Sequence, residues 1–303
     1  MTAMASRTSP GRAHRALAGT PGGVDVTIKA RDGYPLAATL YTSSDEEPRR
    51  AALIAPAMGA RRHAYRDYAV HLAREGWAVV ALDYRGIGGS RRGSVRHSPA
   101  SLREWGQYDI AGAIDWLERQ FHPVRMVAIG HSIGGQLMAL APNHRRLDAL
   151  LAVAAQKGYW RLWDPRWRYV LCGLWHLLPV LVRLFGCLPL QPAGCEPLPR
   201  RVALDWGRWG RHPDFVDDDG RSLHEHYARF TAPILALSFA DDAFLAPRRA
   251  VQRMLEIYVN APVTHRHIVP RDLGLPALGH SGFFRDGVAP ALWRETSAWL
   301  QSV

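Results

Sequence analysis

The sequence predicts an α/β fold: a mainly parallel sheet with helices on both faces. Three observations carry that expectation. Short apolar runs rich in Val, Ile, Leu and Ala recur through the chain, as fully buried parallel strands require. Segments with apolar residues at i, i+3, i+4 and i+7 alternate with them, which is helical spacing. Hydrophobic residues make up 48% of 303 residues, enough for a large core in one domain.

The elements follow in order. Val24 to Ala30 and Leu36 to Tyr41 read as a hairpin across the Asp32-Gly33 turn signal. Ala51 to Ala55 is a buried strand, and Arg62 to Arg74 a helix ended by Gly76. Ala78 to Leu82 is the next strand. Leu102 to Arg119 is a helix with Ile110, Ala113, Ile114 and Leu117 on one stripe. Met126 to Ile129 is a strand, Gly135 to Leu140 a helix start, and Ala149 to Ala155 another strand. After a long break come a strand at Ile234 to Leu237, a helix through Val251, Met254, Leu255 and Tyr258, a strand at Val263 to Val269 and a helix at Val288 to Leu300. No internal repeat is visible.

The break is the segment 157–230, rich in Trp, Leu, Pro and Arg and too long for an ordinary loop. It reads as a helical lid inserted into a domain of residues 24–303. Its stretch Tyr169 to Leu190 is strongly apolar and long enough to suggest a membrane span, but Arg168, His176, Pro179 and Arg183 interrupt or flank it. A span would also have to leave a soluble fold midway and return. Four tryptophans (160, 163, 167 and 175) and a stripe of Leu174, Leu177, Leu178 and Leu181 are expected to line an apolar pocket, with peripheral membrane contact through the lid left open. Residues 1–23 carry arginines among Ser, Thr, Pro and Gly without an apolar h-region, so they read as a disordered tail.

The formal net charge is +11, yet all but two of the 38 basic residues are arginines, the exceptions being Lys29 and Lys157. The arginines are scattered rather than clustered, which argues against nucleic acid as a partner. Three cysteines (172, 187 and 195) provide neither a disulfide framework nor a metal spacing. Reduced thiols and a cytoplasmic protein without cofactor or metal are the expectation.

The chemistry centres on Gly130-His131-Ser132-Ile133-Gly134, a Gly-x-Ser-x-Gly between a strand and a helix. That context is a nucleophile elbow, which exposes a serine Oγ at the end of a sheet. A serine hydroxyl needs a base, and the base needs a carboxylate, in the chain order Ser, acid, His. No acid closely follows the strand at 149–155, whereas Asp241 and Asp242 follow Ile234 to Leu237. Asp242 is preferred by its spacing to the next helix, with Asp241 open and otherwise serving the turn. Of the histidines beyond it, His265 and His267 share a face of a strand and read as structural. His280, between glycines in a loop, is the candidate base. His131 reads as a packing residue. Oxyanion donors are expected from the N–H of Ile133 and of Met58 in the loop Pro56-Ala57-Met58-Gly59, with Ala57 as the alternative.

Together with Asp83-Tyr84-Arg85-Gly86-Ile87-Gly88-Gly89-Ser90 and Gly279-His280-Ser281-Gly282-Phe283-Phe284, these motifs resemble the α/β-hydrolase superfamily. The similarity is to its esterase, lysophospholipase and serine-aminopeptidase-like branch, bacterial predicted α/β-hydrolases above all. It extends from about Val24 to the C-terminus and is weakest in the lid. The resemblance implies an α/β-hydrolase fold with an eight-stranded, mostly parallel sheet, and a serine-acid-histidine site of Ser132, Asp242 and His280. Two departures stand out: Pro56-Ala57 replaces the usual His-Gly pair, and an extra residue precedes Pro247. The expected activity is cleavage of a carboxylic ester or thioester with an apolar acyl group, a small-molecule substrate, through an acyl-enzyme. Acyl transfer, peptide cleavage and a non-catalytic binding module are the alternatives. A dehalogenase or epoxide hydrolase would need a carboxylate where Ser132 stands.

Overall fold

The computed structural model describes residues 23–43, 48–189, 195–275 and 277–303. All but the last residue of the expected tail 1–23 lies outside the described residues.

The chain opens with β1 (Val24–Lys29) and β2 (Pro35–Tyr41), then β3 (Arg50–Ala55), helix α1 (Arg66–Arg74) and β4 (Trp77–Leu82). Helix α2 (Ala111–Phe121), β5 (Arg125–His131), the short α3 (Ile133–Leu137) and β6 (Ala149–Val153) complete the first half. The segment 157–230 holds α4 (Pro165–Phe185), the short strands β7 (Cys187–Leu188) and β8 (Leu198–Pro199), α5 (Arg200–Arg211) and α6 (His224–Ala228). β9 (Ile234–Phe239), α7 (Arg248–Leu255), β10 (Val263–Ile268) and α8 (Pro290–Ser302) close the fold.

Eight strands form one sheet in the order β1-β2-β4-β3-β5-β6-β9-β10. Pairing is antiparallel for β1 with β2 and for β2 with β4, and parallel from β4 to β10. The central strands β3 to β6 and β9 are buried almost throughout, which explains their unbroken apolar composition. The outer strand β10 is only partly covered and carries His265, Arg266 and His267.

Three expectations need amendment. The helix read as starting at Leu102 contains a π-turn over Trp105–Ile110 before α2. The strand read to Ala155 ends at Val153, because Ala154 adopts φ +50°, outside the strand region. In α4 the leucines do not share one face: Leu178 is fully buried, whereas Leu177 is half-exposed. The apolar residues of α4 run round the helix, so spacing alone could not say which of them face the core.

The Asp83–Ser90 motif is scaffolding. Asp83 accepts hydrogen bonds from the Arg62 backbone and guanidinium and from Gly89 N–H. The buried Arg85 pairs with Asp109 and Asp32, while its carbonyl accepts from Trp105 Nε1. Burial pushes the Asp109 carboxyl up to about 7 against the opposing pull of Arg85.

Candidate active site

Ser132 stands between β5 and α3 with φ +52° and ψ −116°, a conformation a non-glycine residue adopts only when its surroundings force it. Its N–H donates to Val153 O on the neighbouring strand at 2.9 Å, and its carbonyl accepts from Gly135 and Gln136. The flanking glycines allow the sharp turn. A Cβ on Gly134 would lie 2.1 Å from Ala55 O, and one on Gly130 would lie 2.5 Å from Gly135 Cα. Close approach of backbone to backbone is why glycine occupies both positions.

Asp242 and His280 come from the loops after β9 and β10. His280 Nδ1 lies 2.6 Å from Asp242 Oδ2, and both side chains are largely covered. The tight hydrogen bond turns the other ring nitrogen, Nε2, away from the carboxylate. Asp241 lies apart from this pair. Its Oδ2 accepts from Leu278 N–H at 2.7 Å and Gly279 N–H at 2.8 Å, fastening the loop that carries His280. Adjacent acids thus do different work, one on the imidazole and one on its backbone. His265 and His267 both bond to Ser238 Oγ at 2.8 Å, on the outer strand pair.

A chain of hydrogen bonds links the two halves of the site. Ala57 N–H donates to Tyr65 Oη at 2.7 Å, and Tyr65 Oη lies 2.8 Å from His131 Nδ1. His131 Nε2 lies 2.8 Å from the carbonyl oxygen of His280. A carbonyl only accepts, so His131 carries its proton on Nε2 and Tyr65 donates to Nδ1. Burial, with the nearby His280, pushes the His131 imidazole well below its ordinary pKa; the His280 carbonyl opposes this. The Tyr65 phenol is driven well up by burial and stays protonated. Sequence spacing held no signal for Tyr65, and His131 serves as a bridge rather than as packing alone.

This chain bears on the oxyanion donors. Ala57 N–H is spent on Tyr65, whereas the N–H groups of Met58 and Ile133 have no acceptor among the described residues. Those two therefore remain available to a ligand.

Segment 157–230 touches the loops on either side. Glu196 N–H donates to Gly59 O at 2.8 Å, and the Glu196 carboxylate takes Arg91 and Gly88 N–H. At the other end Trp163 Nε1 donates to Phe244 O at 2.8 Å, two residues beyond Asp242. Among the described residues no group of three His, Cys, Asp or Glu side chains is placed to hold a metal ion.

Residues 53–175 match the family model described as the alpha/beta hydrolase fold. No curated relative matches the sequence. Solved structures similar to this chain include an esterase from Exiguobacterium antarcticum, at 13% identity and TM-score 0.58, over 92% of this chain and 100% of that one. A soluble variant of monoglyceride lipase from Saccharomyces cerevisiae, in complex with a substrate analogue, aligns at 13% identity and TM-score 0.63, over 92% and 94%. Est1E from Butyrivibrio proteoclasticus, with ferulic acid bound, aligns at 15% identity and TM-score 0.60, over 91% and 98%. At such identities the likeness is one of fold.

Proposed function

We propose that this chain, which has the α/β-hydrolase fold, is a serine hydrolase of carboxylic esters or thioesters with apolar acyl groups. The observation that carries the reading is the pairing of His280 Nδ1 with buried Asp242 at 2.6 Å, on a loop bonded to the residue beside Ser132. Fold likeness to esterases and a lipase supports the reaction class by analogy.

In this mechanism Ser132 Oγ attacks the acyl carbon while His280 Nε2 takes its proton. Asp242 holds the imidazole in the productive tautomer and stabilises the imidazolium. The N–H groups of Ile133 and Met58 receive the developing oxyanion, where donors fixed in advance need no reorganisation. The tetrahedral intermediate collapses as His280 returns the proton to the leaving alkoxide or thiolate. Water, activated by the same imidazole, then releases the acid from Ser132.

The segment 157–230 acts as a lid over the acyl chain. Its ties to Gly59 and Phe244, on the oxyanion and acid loops, support that placement. Trp160, Trp167, Leu174 and Leu181, all half-buried, supply apolar surface. The unpaired cysteines fit a reducing, cytoplasmic setting.

The test is covalent labelling by a fluorophosphonate, followed by peptide mapping. The adduct is expected on Ser132, and Ser132→Ala should lose both the adduct and turnover of p-nitrophenyl esters. Full ester hydrolysis by the purified variant would remove the proposal.

A further inference from the structure

Helix α4 carries two apolar faces with different fates. Its inner face, Leu171, Trp175, Leu178 and Val182, is buried against α5. Gly210 lets the Trp175 ring come so near that a Cβ there would lie 2.5 Å from it. The outer face holds Tyr169, Val170, Leu177, Val180 and Leu184, all exposed, with Tyr169 at 71% and Leu184 at 72%. Their spacing places them on one stripe, and from Tyr169 to Leu184 it runs about 22 Å at 1.5 Å per residue. A helix that only roofs a soluble protein turns charged residues outward. This one has no acid anywhere between Pro165 and Phe185.

Charge at the helix ends completes the pattern. Arg161, Arg166 and Arg168 lie at its N-terminal end and Arg183 at its C-terminal end. Among the described residues none of the four makes an ion pair. The Arg161 and Arg166 guanidinium groups sit 4.9 and 5.7 Å over the rings of Trp160 and Trp167. Basic residues at a helix N-terminus oppose the macrodipole, so helix stability does not explain them. Arginine with tryptophan at the edge of an apolar stripe is the composition of a helix that lies in a lipid headgroup layer. The exposed Phe244 and Leu245 extend the apolar surface, the Phe244 ring lying 5.0 Å from Trp167.

We propose that the outer face of α4 docks this protein on an anionic lipid bilayer, apolar stripe down and arginines against the headgroups. The helix lies on the surface and does not span it. Its mean hydropathy reaches 1.3 over 18 residues, but its inner face is committed to α5 and it contains Pro179. A second copy of the chain is the poorer partner. A two-fold contact through this face would bring arginines together with no acid on the helix to meet them. Docking is independent of what Ser132 attacks.

Co-sedimentation of the full chain with vesicles tests this. Vesicles of phosphatidylcholine with phosphatidylglycerol should bind the protein, and added salt should weaken the binding. Pure phosphatidylcholine vesicles should bind it at least tenfold less. The variant Val170→Gln/Val180→Gln/Leu184→Gln should lose at least tenfold in vesicle binding, with hydrolysis of p-nitrophenyl acetate and the circular dichroism spectrum unchanged. Arg166→Gln/Arg183→Gln should lose the preference for phosphatidylglycerol. Docking is overturned if the wild-type protein stays in solution with anionic vesicles, or if the triple variant binds them as well as wild type. It is equally overturned if light scattering shows a dimer that the triple substitution dissociates while vesicle binding is unaltered. Vesicle binding needs no turnover, so its loss and failure of the hydrolase reading are separate results.

Discussion

His131 Nε2 donates its proton to the carbonyl oxygen of His280 at 2.8 Å. The residue before the candidate nucleophile thus holds the backbone of the candidate base, and through Tyr65 it also holds Ala57 in the candidate oxyanion loop. Tyr65→Phe removes the middle of that chain and leaves Ala57 N–H and His131 Nδ1 buried without partners. Unsatisfied groups of this kind cost about 1–3 kcal/mol. The variant should lose that much stability in urea titration, and kcat on a short ester should fall several-fold with KM little changed. Unaltered kcat and midpoint would show that the chain positions nothing.

The same histidine makes stability depend on pH. Burial depresses the folded His131 pKa well below its ordinary 6.5. The unfolded chain therefore binds a proton that the folded chain refuses as pH falls through 6.5. Its contribution to stability is complete above that value and is lost below it, by up to about 1.4 kcal/mol per pH unit. Comparison with His131→Gln cancels the opposite trend from Asp109, whose folded pKa is raised to about 7. Denaturant unfolding at pH 7.5 and 5.5 should show a smaller acid loss in the variant; equal losses would count against a neutral buried imidazole.

Asp242→Asn and Asp241→Asn should separate by orders of magnitude. The first disrupts the hydrogen bond that sets the His280 tautomer, a change worth about 10⁴ in kcat where such a carboxylate has been replaced. The second keeps an oxygen able to accept from Leu278 and Gly279, so its loss should stay within about tenfold. Steady-state kinetics on one ester decides the order, and the reverse ranking would make Asp241 the working acid.

Why part of this was legible in the sequence is a matter of where the constraints are local. The sheet is written in runs such as Ala51 to Ala55 and Ala78 to Leu82, because strands buried on both faces must be apolar throughout. The elbow is written in Gly130 and Gly134, where backbone meets backbone. Tyr65 and Glu196 were not legible. Each acts on a residue distant in the chain, His131 and Gly59, and neither lies in a local pattern. The two acids at 241 and 242 could be ranked only by spacing, since their different partners lie some 40 positions further on. For α4, composition spoke for a helix, but the division of its leucines between core and surface depends on α5.

Two glycine substitutions should have opposite signs. Gly134→Ala drives a Cβ into Ala55 O and should cost more than about 3 kcal/mol, with loss of soluble protein. Gly173 lies in the exposed middle of α4 with nothing within 4 Å of the added atom. Gly173→Ala should therefore gain about 0.5–1 kcal/mol from helix propensity. Thermal unfolding of both variants checks the pair, and a stable, active Gly134→Ala protein would contradict the close-contact account of the elbow.

Chain-length preference is the sharpest test of a lid that binds the acyl group. Each methylene taken from water into an apolar site gains about 0.8 kcal/mol. Only part of that gain reaches the transition state, because ordering the chain and the lid offsets some of it. The kcat/KM for p-nitrophenyl octanoate should still exceed that for the acetate at least tenfold. Trp167 packs its half-buried ring on Phe244, next to the loop that bears Asp242. Trp167→Ala should narrow the preference mainly by lowering kcat/KM for octanoate, leaving acetate turnover nearly as it was, because acetate does not reach that surface. Equal values for the two esters in the wild type would remove the acyl-binding role of segment 157–230. A parallel drop for both esters in the variant would instead mean that Trp167 supports the acid loop rather than the substrate.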